Sequence, residues 1–446
     1  MLHNISPIDG RYAVKTAVLA PYFSEAALMR HRCLVEIEYL IALADTGIIP
    51  GMSLQPGQKE SLRNIVASFT DEDANTIKET EATINHDVKA IEYFIKGKLD
   101  ALGLESIKEW VHFGLTSQDV NNSAFPLMIR EAYQHHVLPS LKETRDTILH
   151  FAKENAEVPM LAHTHGQPAS PTILGKEMMV FVERLNTQIE QLEAIELKVK
   201  FGGATGNFNA HVVAFPRVDW VEWADHFTSQ YLGIRRYHFT TQIEHYDQLA
   251  ALCHATMRIN TILLDFCRDV WTYISMNYIS QKANPNEVGS SAMPHKVNPI
   301  DFENAEGNLG YANAIFGHLA DKLPISRLQR DLTDSTVLRN IGVPVAHSYL
   351  AYHSLLKGMK KISVNDSRLA YDLDQNWAVL AEAIQTILRR EGVDKPYEML
   401  KELTRGKVQV TGEDLFAFID GLSLSEAVKE ELRKLTPGGY TGVGMQ

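Results

Sequence analysis

The feature that most constrains the fold is a set of unusually long stretches with helical periodicity. One stretch follows Ser170-Pro171 and repeats apolar residues every three or four positions until Gly202-Gly203. The repeated residues are Leu174, Met178, Phe181, Leu185, Ile189, Leu192, Ile195 and Val199. This spacing places them on one side of an α-helix, and a serine followed by proline is typical of a helix start. We therefore predict a helix over 170–201.

Three more stretches continue this helical character. They cover 242–281, which contains no proline, 300–323, and a run that begins after Pro344. Helices of globular proteins usually have roughly 8–20 residues. One chain cannot easily cover so much apolar surface. We expect a long antiparallel bundle that completes its core by oligomerisation.

The rest of the chain carries shorter helical patterns. They lie around 23–46, 56–69 and 86–101, and a change after Val364, with Asn365 as a candidate cap, starts further short helices. We predict an all-α fold with three helical domains. The predicted bounds are 1–110 for the N-terminal domain, 111–365 for the central bundle with a mobile loop at 282–299, and 366–446 for a small C-terminal domain.

Composition and charge exclude several classes of protein. The 446 residues are 45% hydrophobic and carry a formal net charge of −12, whereas a nucleic-acid surface usually carries a basic stripe. No apolar stretch approaches the roughly 20 residues of a membrane span. The three cysteines form no CxxC pair, which suits a reducing cytosol. Because the N-terminus also lacks a signal-peptide pattern, we predict a cytoplasmic protein without nucleic-acid or membrane partners.

The most informative loop is 289–299, with the sequence GSSAMPHKVNP. It is dense in hydrogen-bond donors and lies between two helical patterns. Gly289 permits backbone angles that other residues avoid. Such a loop is either a polar connection or a place where several N–H groups converge on an anion.

A second motif, HTHGQP at 163–168, is predicted to form a turn just before the long helix. Its two histidines have no cysteine or carboxylate at ligand spacing, so we predict no metal. The chain has neither a GxSxG elbow nor a phosphate-binding P-loop. Residues 203–206, within an irregular region at 201–240, lack the dinucleotide-binding spacing and are predicted to be a turn. No cofactor is predicted.

Several candidate helix starts can serve either as caps or as anion sites, because a helix start offers unpaired N–H groups. Asn85 or Asp87 precedes one helical pattern, and Thr116-Ser117 precedes another. In the turn at 6–12, Arg11 and Tyr12 are expected to be exposed.

The sequences of these motifs resemble those of the adenylosuccinate lyase branch of the fumarase/aspartase superfamily. The matches are DGRY at 9–12, THGQP at 164–168, the GSSxMPxKxNP loop and LTRGK at 403–407, so they cover nearly the whole chain in the family order. The resemblance implies three helical domains and homotetramers in which each active site takes residues from three chains. It also implies cleavage of adenylosuccinate to AMP and fumarate, and of the related carboxamide ribotide SAICAR to AICAR and fumarate.

The resemblance further implies roles for individual residues. His165 is the implied general acid, and Ser290 is the implied base. The positions implied to hold the nucleotide phosphate and ribose are Arg11, Tyr12, Arg330, Ser335 and Arg339. A further nucleotide-contacting segment comprises Asn85, His86 and Asp87. The positions implied to surround the succinyl group are Thr116, Ser117, Gln242, Ser291, Lys296, Asn298 and Asn304.

These residue types suit a β-elimination. Removing the succinyl β-proton places negative charge on the neighbouring carboxylate, where Lys296 and Asn298 are suitable donors. Histidine exchanges protons near neutral pH, so His165 can protonate the leaving nitrogen. An alcohol is a poor base in water, so Ser290 requires a closed site with a nearby cation such as Lys296.

Two alternatives remain open at this point. The first is another lyase of the superfamily that acts on argininosuccinate, aspartate or a carboxymuconate, although His295 and the Arg11-Tyr12 segment speak against it. The second is a non-catalytic helical relative, although the presence of His165, Ser290 and Lys296 speaks against that.

Overall fold

The computed structural model describes residues 2–282, 293, 296–405 and 409–445. Helices make up 66% of it, and the strands are short, so the all-α prediction is confirmed. Among the described helices, none is both long enough and apolar enough to cross a membrane. Cys33, Cys253 and Cys267 are all buried as thiols.

The N-terminal helices follow the sequence pattern closely. They are α1 (Ala13–Thr16), α2 (Ala20–Phe23), α3 (Glu25–Asp45), α4 (Pro56–Ala67), α5 (Asp71–Ile84), α6 (Asp87–Ala101), α7 (Ser117–Ala132) and α8 (Leu138–Glu154). The predicted helices at 23–46, 56–69 and 86–101 are confirmed as α3, α4 and α6. Helix α5 was not predicted because it buries only Ala74 and Ile77 and therefore has almost no apolar stripe.

The central helices are α9 (Leu174–Glu193), α10 (Asn209–Ala214), α11 (Trp220–Gln230), α12 (Asp247–Ser275), α13 (Ile300–Lys322), α14 (Thr333–Leu338) and α15 (Gly342–Met359). The prediction for 300–323 is confirmed by α13. The fourth helix was predicted to begin after Pro344, but it begins at Gly342. Pro344 therefore lies in the first turn of α15, where a missing N–H costs little.

Two long-helix predictions were wrong at their ends. Residues Thr172–Ile173 pair as a strand, and after Glu193 the chain becomes extended, so that the N–H of Val199 bonds to the carbonyl of Arg235 at 2.9 Å. Val199 is fully buried in this extended segment. It therefore fits the apolar spacing of the helix although it lies outside it. Similarly, the 242–281 stretch is helical only over α12.

The C-terminal helices are α16 (Asp366–Asp374), α17 (Ala381–Arg390), α18 (Pro396–Thr404), α19 (Gly412–Asp420) and α20 (Glu426–Arg433). The side chain of Asn365 accepts the Arg368 N–H at 3.3 Å, which confirms the predicted cap before α16. Leu380, Ile384 and Leu415 are among the buried residues that give these short helices a common core.

The strands form three antiparallel pairs. These are β1 (Pro159–Met160) with β4 (Thr172–Ile173), β2 (His163–Thr164) with β3 (Gln167–Pro168), and β5 (Ile279–Gln281) with β6 (Ile362–Val364). In the β2–β3 hairpin His163 faces Pro168, and Thr164 faces Gln167. Only two residues, 165 and 166, therefore connect these strands.

The chain divides into two compact units. The first unit comprises Met1–Leu141, Gln188–Thr261 and Asn308–Ala351. The second unit comprises Lys142–Thr187, Ile262–Gly307 and Tyr352–Gln446. The three-domain division given above stays a prediction.

Candidate active site

The first unit brings together three of the predicted site residues, which we call the Arg330 cluster: Arg330, Gln242 and Ser335. Arg330 donates from Nη1 to Gln242 Oε1 at 3.2 Å and from Nη2 to Ser335 Oγ at 3.3 Å. Gln118 donates to the same hydroxyl at 3.2 Å. Within the described ranges, no carboxylate pairs with Arg330. Its positive charge is therefore held in place by neutral oxygens and is available to an anion.

Arg339 differs from Arg330 because it is already engaged with carboxylates. It donates from Nη2 to Asp87 Oδ2 at 2.8 Å and from Nη1 to Glu25 at 3.2 Å. The same oxygen of Asp87 accepts from Arg32 at 2.7 Å, and Arg32 is 2% exposed. Burial alone would raise the pKa of Asp87, but the charge and hydrogen bond of Arg32, helped by the Val88 N–H and by Arg339, lower it to about 2. Asp87 therefore holds two guanidinium groups as a carboxylate.

The start of α6 is capped by a residue other than those expected. His86 is the N-cap, and its Nδ1 accepts the Lys89 N–H at 3.0 Å. Asn85 instead ends α5 in a left-handed conformation with φ 54°, and Asp87 is the first residue of α6. The capping prediction for Asn85 or Asp87 was wrong, because Asn85 is needed to reverse the chain between two helices.

The cap predicted at Thr116 is confirmed. Asp119 Oδ2 accepts from the Thr116 N–H at 2.8 Å and from its hydroxyl at 3.1 Å, and Ser117 is the first residue of α7. Asp119 Oδ1 accepts from Lys200 at 2.6 Å and from the N–H groups of Gly202 and Gly203 at 2.8 and 2.9 Å. Burial would raise the pKa of the fully buried Asp119, but Lys200 and these donors lower it.

The predicted turn at 203–206 is confirmed, since Gly203 and Gly206 both have positive φ, 77° and 79°. A side chain at Gly206 would collide with the Thr240 carbonyl, 2.5 Å from the position of its Cβ. The Ala204 carbonyl accepts from Gln242 Nε2 at 3.1 Å. Asp119 therefore anchors the turn that orients one member of the Arg330 cluster.

The N-terminal turn is also confirmed, by hydrogen bonds from Gly10 N to Ser6 O at 3.1 Å and from Tyr12 N to Pro7 O at 2.8 Å. Arg11 is exposed as expected, whereas Tyr12 is half-buried and not fully exposed. The Arg11 guanidinium lies 6.0 Å from the ring centroid of Tyr12.

In the second unit, His165 lies at the tip of the β2–β3 hairpin. His165 and Gly166 both have positive φ, 53° and 73°, as a tight two-residue hairpin requires. The side chain of His165 is exposed and makes no hydrogen bond to the described residues. Left-handed backbone at a residue other than glycine is sparsely populated and concentrates at functional sites. The predicted turn is confirmed, and it presents an imidazole whose two nitrogens are open to a ligand.

The remaining predicted residues of the second unit lie around the start of α13. Lys296 is exposed, and Asn304 Oδ1 accepts from Ser354 Oγ at 2.8 Å. Asn298 is partly buried. Ser290 and Ser291 lie outside the described residues, as do most of the predicted loop 282–299 and the end of the 403–407 motif. In the part of the chain that the structure describes, no group of three or more His, Cys, Asp or Glu side chains is arranged to hold a metal ion.

Sequence reasoning missed the buried residues that support these side chains. They are Arg32, Gln118, Asp119, Asn121, Asn122, Lys200, Tyr246 and Asp334. Asp119 had a usable signal, because a threonine followed three positions later by an acidic residue is the spacing of a capping box. The others carry no local signal, since their partners are distant in the sequence.

Comparison with known proteins gives first the fold and then the class of protein. The crystal structure of 3-carboxy-cis,cis-muconate lactonizing enzyme from Pseudomonas putida matches with a TM-score of 0.74 and 20% identity, over 96% of this chain and 94% of that one. Fumarate lyase from Mesorhizobium sp. BNC1 matches with a TM-score of 0.76 and 17% identity, over 96% and 95%. At such identities the likeness shows the fold alone. The family described as Lyase matches residues 10–317, so the class is that of the helical lyases.

Closer relatives narrow the class to one family. The family described as Adenylosuccinate lyase C-terminal matches residues 326–441. Proteins named adenylosuccinate lyase from Dictyostelium discoideum and Vibrio cholerae are 54% and 50% identical, over 99% and 100% of this chain and 97% and 98% of theirs. The Escherichia coli K12 protein of that name is 49% identical over 99% of this chain and 97% of its own. The chain belongs to the adenylosuccinate lyase family.

Proposed function

We propose that this protein cleaves adenylosuccinate to AMP and fumarate, and SAICAR to AICAR and fumarate, by anti β-elimination in purine nucleotide biosynthesis. The observation that carries the proposal is the near-50% identity to curated adenylosuccinate lyases along the whole chain. The Arg330 cluster supports it, because the substrate is a polyanion and Arg330 offers a charge without a carboxylate partner in the described ranges.

The proposed chemistry divides between two groups of residues. His165 gives a proton to the departing nitrogen, and Ser290 removes the succinyl β-proton. Lys296 and Asn298 donate to the carboxylate on which charge develops. The succinyl group is also surrounded by Thr116, Ser117, Gln242, Ser291 and Asn304. Recognition of the nucleotide falls to Arg11, Tyr12, Asn85, His86, Asp87, Arg330, Ser335 and Arg339. The exposed imidazole of His165, with no hydrogen bond to the described residues, supports a proton donor that meets its partner only in the substrate complex.

A substrate panel tests the activity. Purified protein is mixed separately with adenylosuccinate, argininosuccinate and aspartate, and fumarate release is followed. We expect release from adenylosuccinate, and a loss of about 100-fold or more in Ser290→Ala. Release from argininosuccinate or aspartate alone would favour another lyase of the superfamily. A folded protein that acts on none of the three would favour the non-catalytic relative.

We further propose a cytoplasmic homotetramer, built from three helical domains per chain, whose active sites are shared between subunits. Apolar side chains exposed on the long helices support an oligomer: Val180, Trp271, Ile300 and Tyr311 are 42%, 44%, 51% and 55% exposed. Light scattering should give four times the chain mass of 50.1 kDa.

Mixing two inactive variants tests whether sites are shared. If His165 and Ser290 of one site come from different chains, His165→Ala and Ser290→Ala subunits should recover activity when they are dissociated together and reassembled. Each variant reassembled alone is the control. Mixed tetramers without activity would contradict sharing between these two residues.

A further inference from the structure

A buried polar chain lies behind the Arg330 cluster and includes none of the residues assigned above to the substrate. Asn122 Nδ2 donates to the Tyr246 hydroxyl at 2.8 Å, and that hydroxyl donates to Asp334 Oδ2 at 2.9 Å. Asn122 Oδ1 accepts the Glu244 N–H at 3.0 Å. The relative exposures of Asn122, Tyr246 and Asp334 are 1%, 2% and 2%.

This chain fixes both segments that form the Arg330 cluster. Asn122 holds the backbone at Glu244, two residues beyond Gln242, while Asp334 directly precedes Ser335 in α14. A backbone hydrogen bond from Gln242 N to Gln329 O, at 3.2 Å, joins the two segments next to Arg330. Tyr246 therefore ties α7 to both sides of the cluster through a single oxygen.

Burying Asn122, Tyr246 and Asp334 costs more free energy than packing apolar side chains in their place would. Tyr246 has a φ of 61°, a conformation that is an outlier for a bulky residue and persists only where its surroundings impose it. Asp334 Oδ1 is buried without a hydrogen-bond partner among the described residues. Buried polar groups are expensive unless they are satisfied, and apolar side chains of similar size often pack as well or better. The hydrogen bonds that join Asn122, Tyr246 and Asp334 nevertheless favour one geometry of the three side chains.

We propose that Tyr246, held between Asn122 and Asp334, is a positioning residue that sets the geometry of the Arg330 cluster and thereby the affinity for the phosphate-bearing part of the nucleotide. The inference rests on the proposed function for the identity of that ligand. The tyrosine hydroxyl is buried, bonds to Asn122 and Asp334, and is not among the groups assigned to the substrate. Its loss should therefore weaken binding of the nucleotide while leaving proton transfer largely intact.

The test is Tyr246→Phe, which removes one oxygen and keeps the ring. The matched control is Tyr133→Phe, because Tyr133 is 4% exposed and its hydroxyl shares a hydrogen bond with Thr256 Oγ1 at 3.0 Å in the same unit. AMP binding is measured by calorimetry, with steady-state kinetics on adenylosuccinate and product inhibition by fumarate. For Tyr246→Phe we expect Kd for AMP and KM to rise about five- to twentyfold. We expect kcat to stay within about threefold, since proton transfer depends on other residues. Inhibition by fumarate should change less than AMP binding, by no more than about threefold, because Gln242 is the one member of the cluster assigned to the succinyl group.

The control separates positioning from stability. Tyr133→Phe should lower the melting temperature comparably and leave AMP binding within about twofold. If Tyr246→Phe binds AMP like wild type, or loses kcat with unaltered AMP affinity, the proposal is wrong. Should Tyr246→Phe not fold, Asp334→Asn, which keeps the shape but weakens the acceptor, is expected to raise the same two constants about three- to tenfold, and unchanged constants would again contradict the proposal.

The outcomes also separate this inference from the proposed function. Wild-type protein that binds AMP but releases no fumarate would contradict the proposed activity alone, because the calorimetric comparison does not depend on turnover. Wild-type protein that binds no AMP would contradict both.

Discussion

The Arg330 cluster and the His165 hairpin are built in opposite ways. In the first, Arg330 donates to both Gln242 and Ser335, and the buried Gln118 of α7 donates to Ser335. In the second, an exposed imidazole is placed by the left-handed backbone of a two-residue turn. The difference indicates that the proposed anion site is preorganised, which lowers the entropic cost of binding. The proposed proton donor, His165, by contrast bonds through neither ring nitrogen to the described residues.

The largest expected effect comes from deleting the imidazole. His165→Ala should lower kcat for adenylosuccinate by about 100- to 10,000-fold, the usual contribution of a general acid. Because the side chain is exposed and bonds to no described residue, the melting temperature should barely change. Fumarate release and thermal unfolding check the two halves of this prediction.

His163→Ala is the matched control, since His163 lies two residues away and is also exposed on the hairpin. Its ring contacts only Tyr278 among the described aromatic side chains, with centroids 6.4 Å apart. We expect kcat within about threefold of wild type. Equal losses in both variants would mean that the hairpin, and not the imidazole of His165, matters.

The next effect is on stability and concerns Asp87, which lies in the same unit as the Arg330 cluster. Asp87→Asn should lower the free energy of unfolding by about 3 kcal/mol, because the buried Arg32 loses its counter-charge. Glu25→Gln removes the exposed carboxylate partner of Arg339 and should cost less than about 1 kcal/mol. Chemical denaturation at pH 7 compares them, and equal costs would contradict the role of burial.

Lowering the pH should destabilise the wild type as the Asp87→Asn substitution does, because it protonates the same carboxylate. The pKa of this carboxyl is lowered to about 2 in the folded protein, whereas an unfolded aspartate titrates near 3.9. The stability it contributes is therefore fully present above about pH 4 and is lost as the pH falls through 2. In Asp87→Asn this part of the acid dependence should be missing.

Glu244, in the buried segment next to the Arg330 cluster, should have the opposite effect on the pH dependence of stability, because its contribution falls as the pH rises. Burial raises its pKa to about 8, although the Tyr246 N–H opposes the shift. An unfolded glutamate ionises near 4.3, so the stability contributed by the folded carboxyl falls as the pH rises from about 4 to 8. Glu244→Gln cannot ionise. Its unfolding free energy relative to wild type should therefore increase by about 2 kcal/mol between pH 6 and pH 7.5. A difference that does not vary with pH would contradict the neutral, buried carboxyl.

The sequence predicted the elements that depend on local signals. Helix α3 has a serine cap, α4 starts at a proline, and the turns at His165-Gly166 and Gly203 follow from their residues. The 170–201 helix failed because Val199 is buried in an extended segment, and apolar spacing alone does not distinguish that burial from a helical stripe.

The same limit applies to the site. His165 belongs to a recognisable motif, Thr116 to a helix start, and Arg330 is implied by the family resemblance, so all three could be proposed before the structure. Asn122 and Tyr246 are 124 residues apart, and Tyr246 and Asp334 are 88 apart. Nothing in either neighbourhood predicts these contacts, since they arise only when distant helices pack. What holds the Arg330 cluster could therefore not be inferred from the sequence.

The smallest expected effect separates geometry from charge within the Arg330 cluster. Arg330→Lys keeps the positive charge but has no planar fork, so it cannot reach Gln242 and Ser335 with the same geometry. We expect KM for adenylosuccinate to rise about tenfold with kcat within about threefold. Arg327→Lys is the matched control, because Arg327 lies in the same segment, pairs with Asp331 at 3.0 Å and is 80% exposed; it should stay within about twofold of wild type. If KM of Arg330→Lys also stays within about twofold of wild type, positive charge alone is sufficient for binding. The fixed geometry of the cluster would then not matter, and the contrast with the hairpin would be lost.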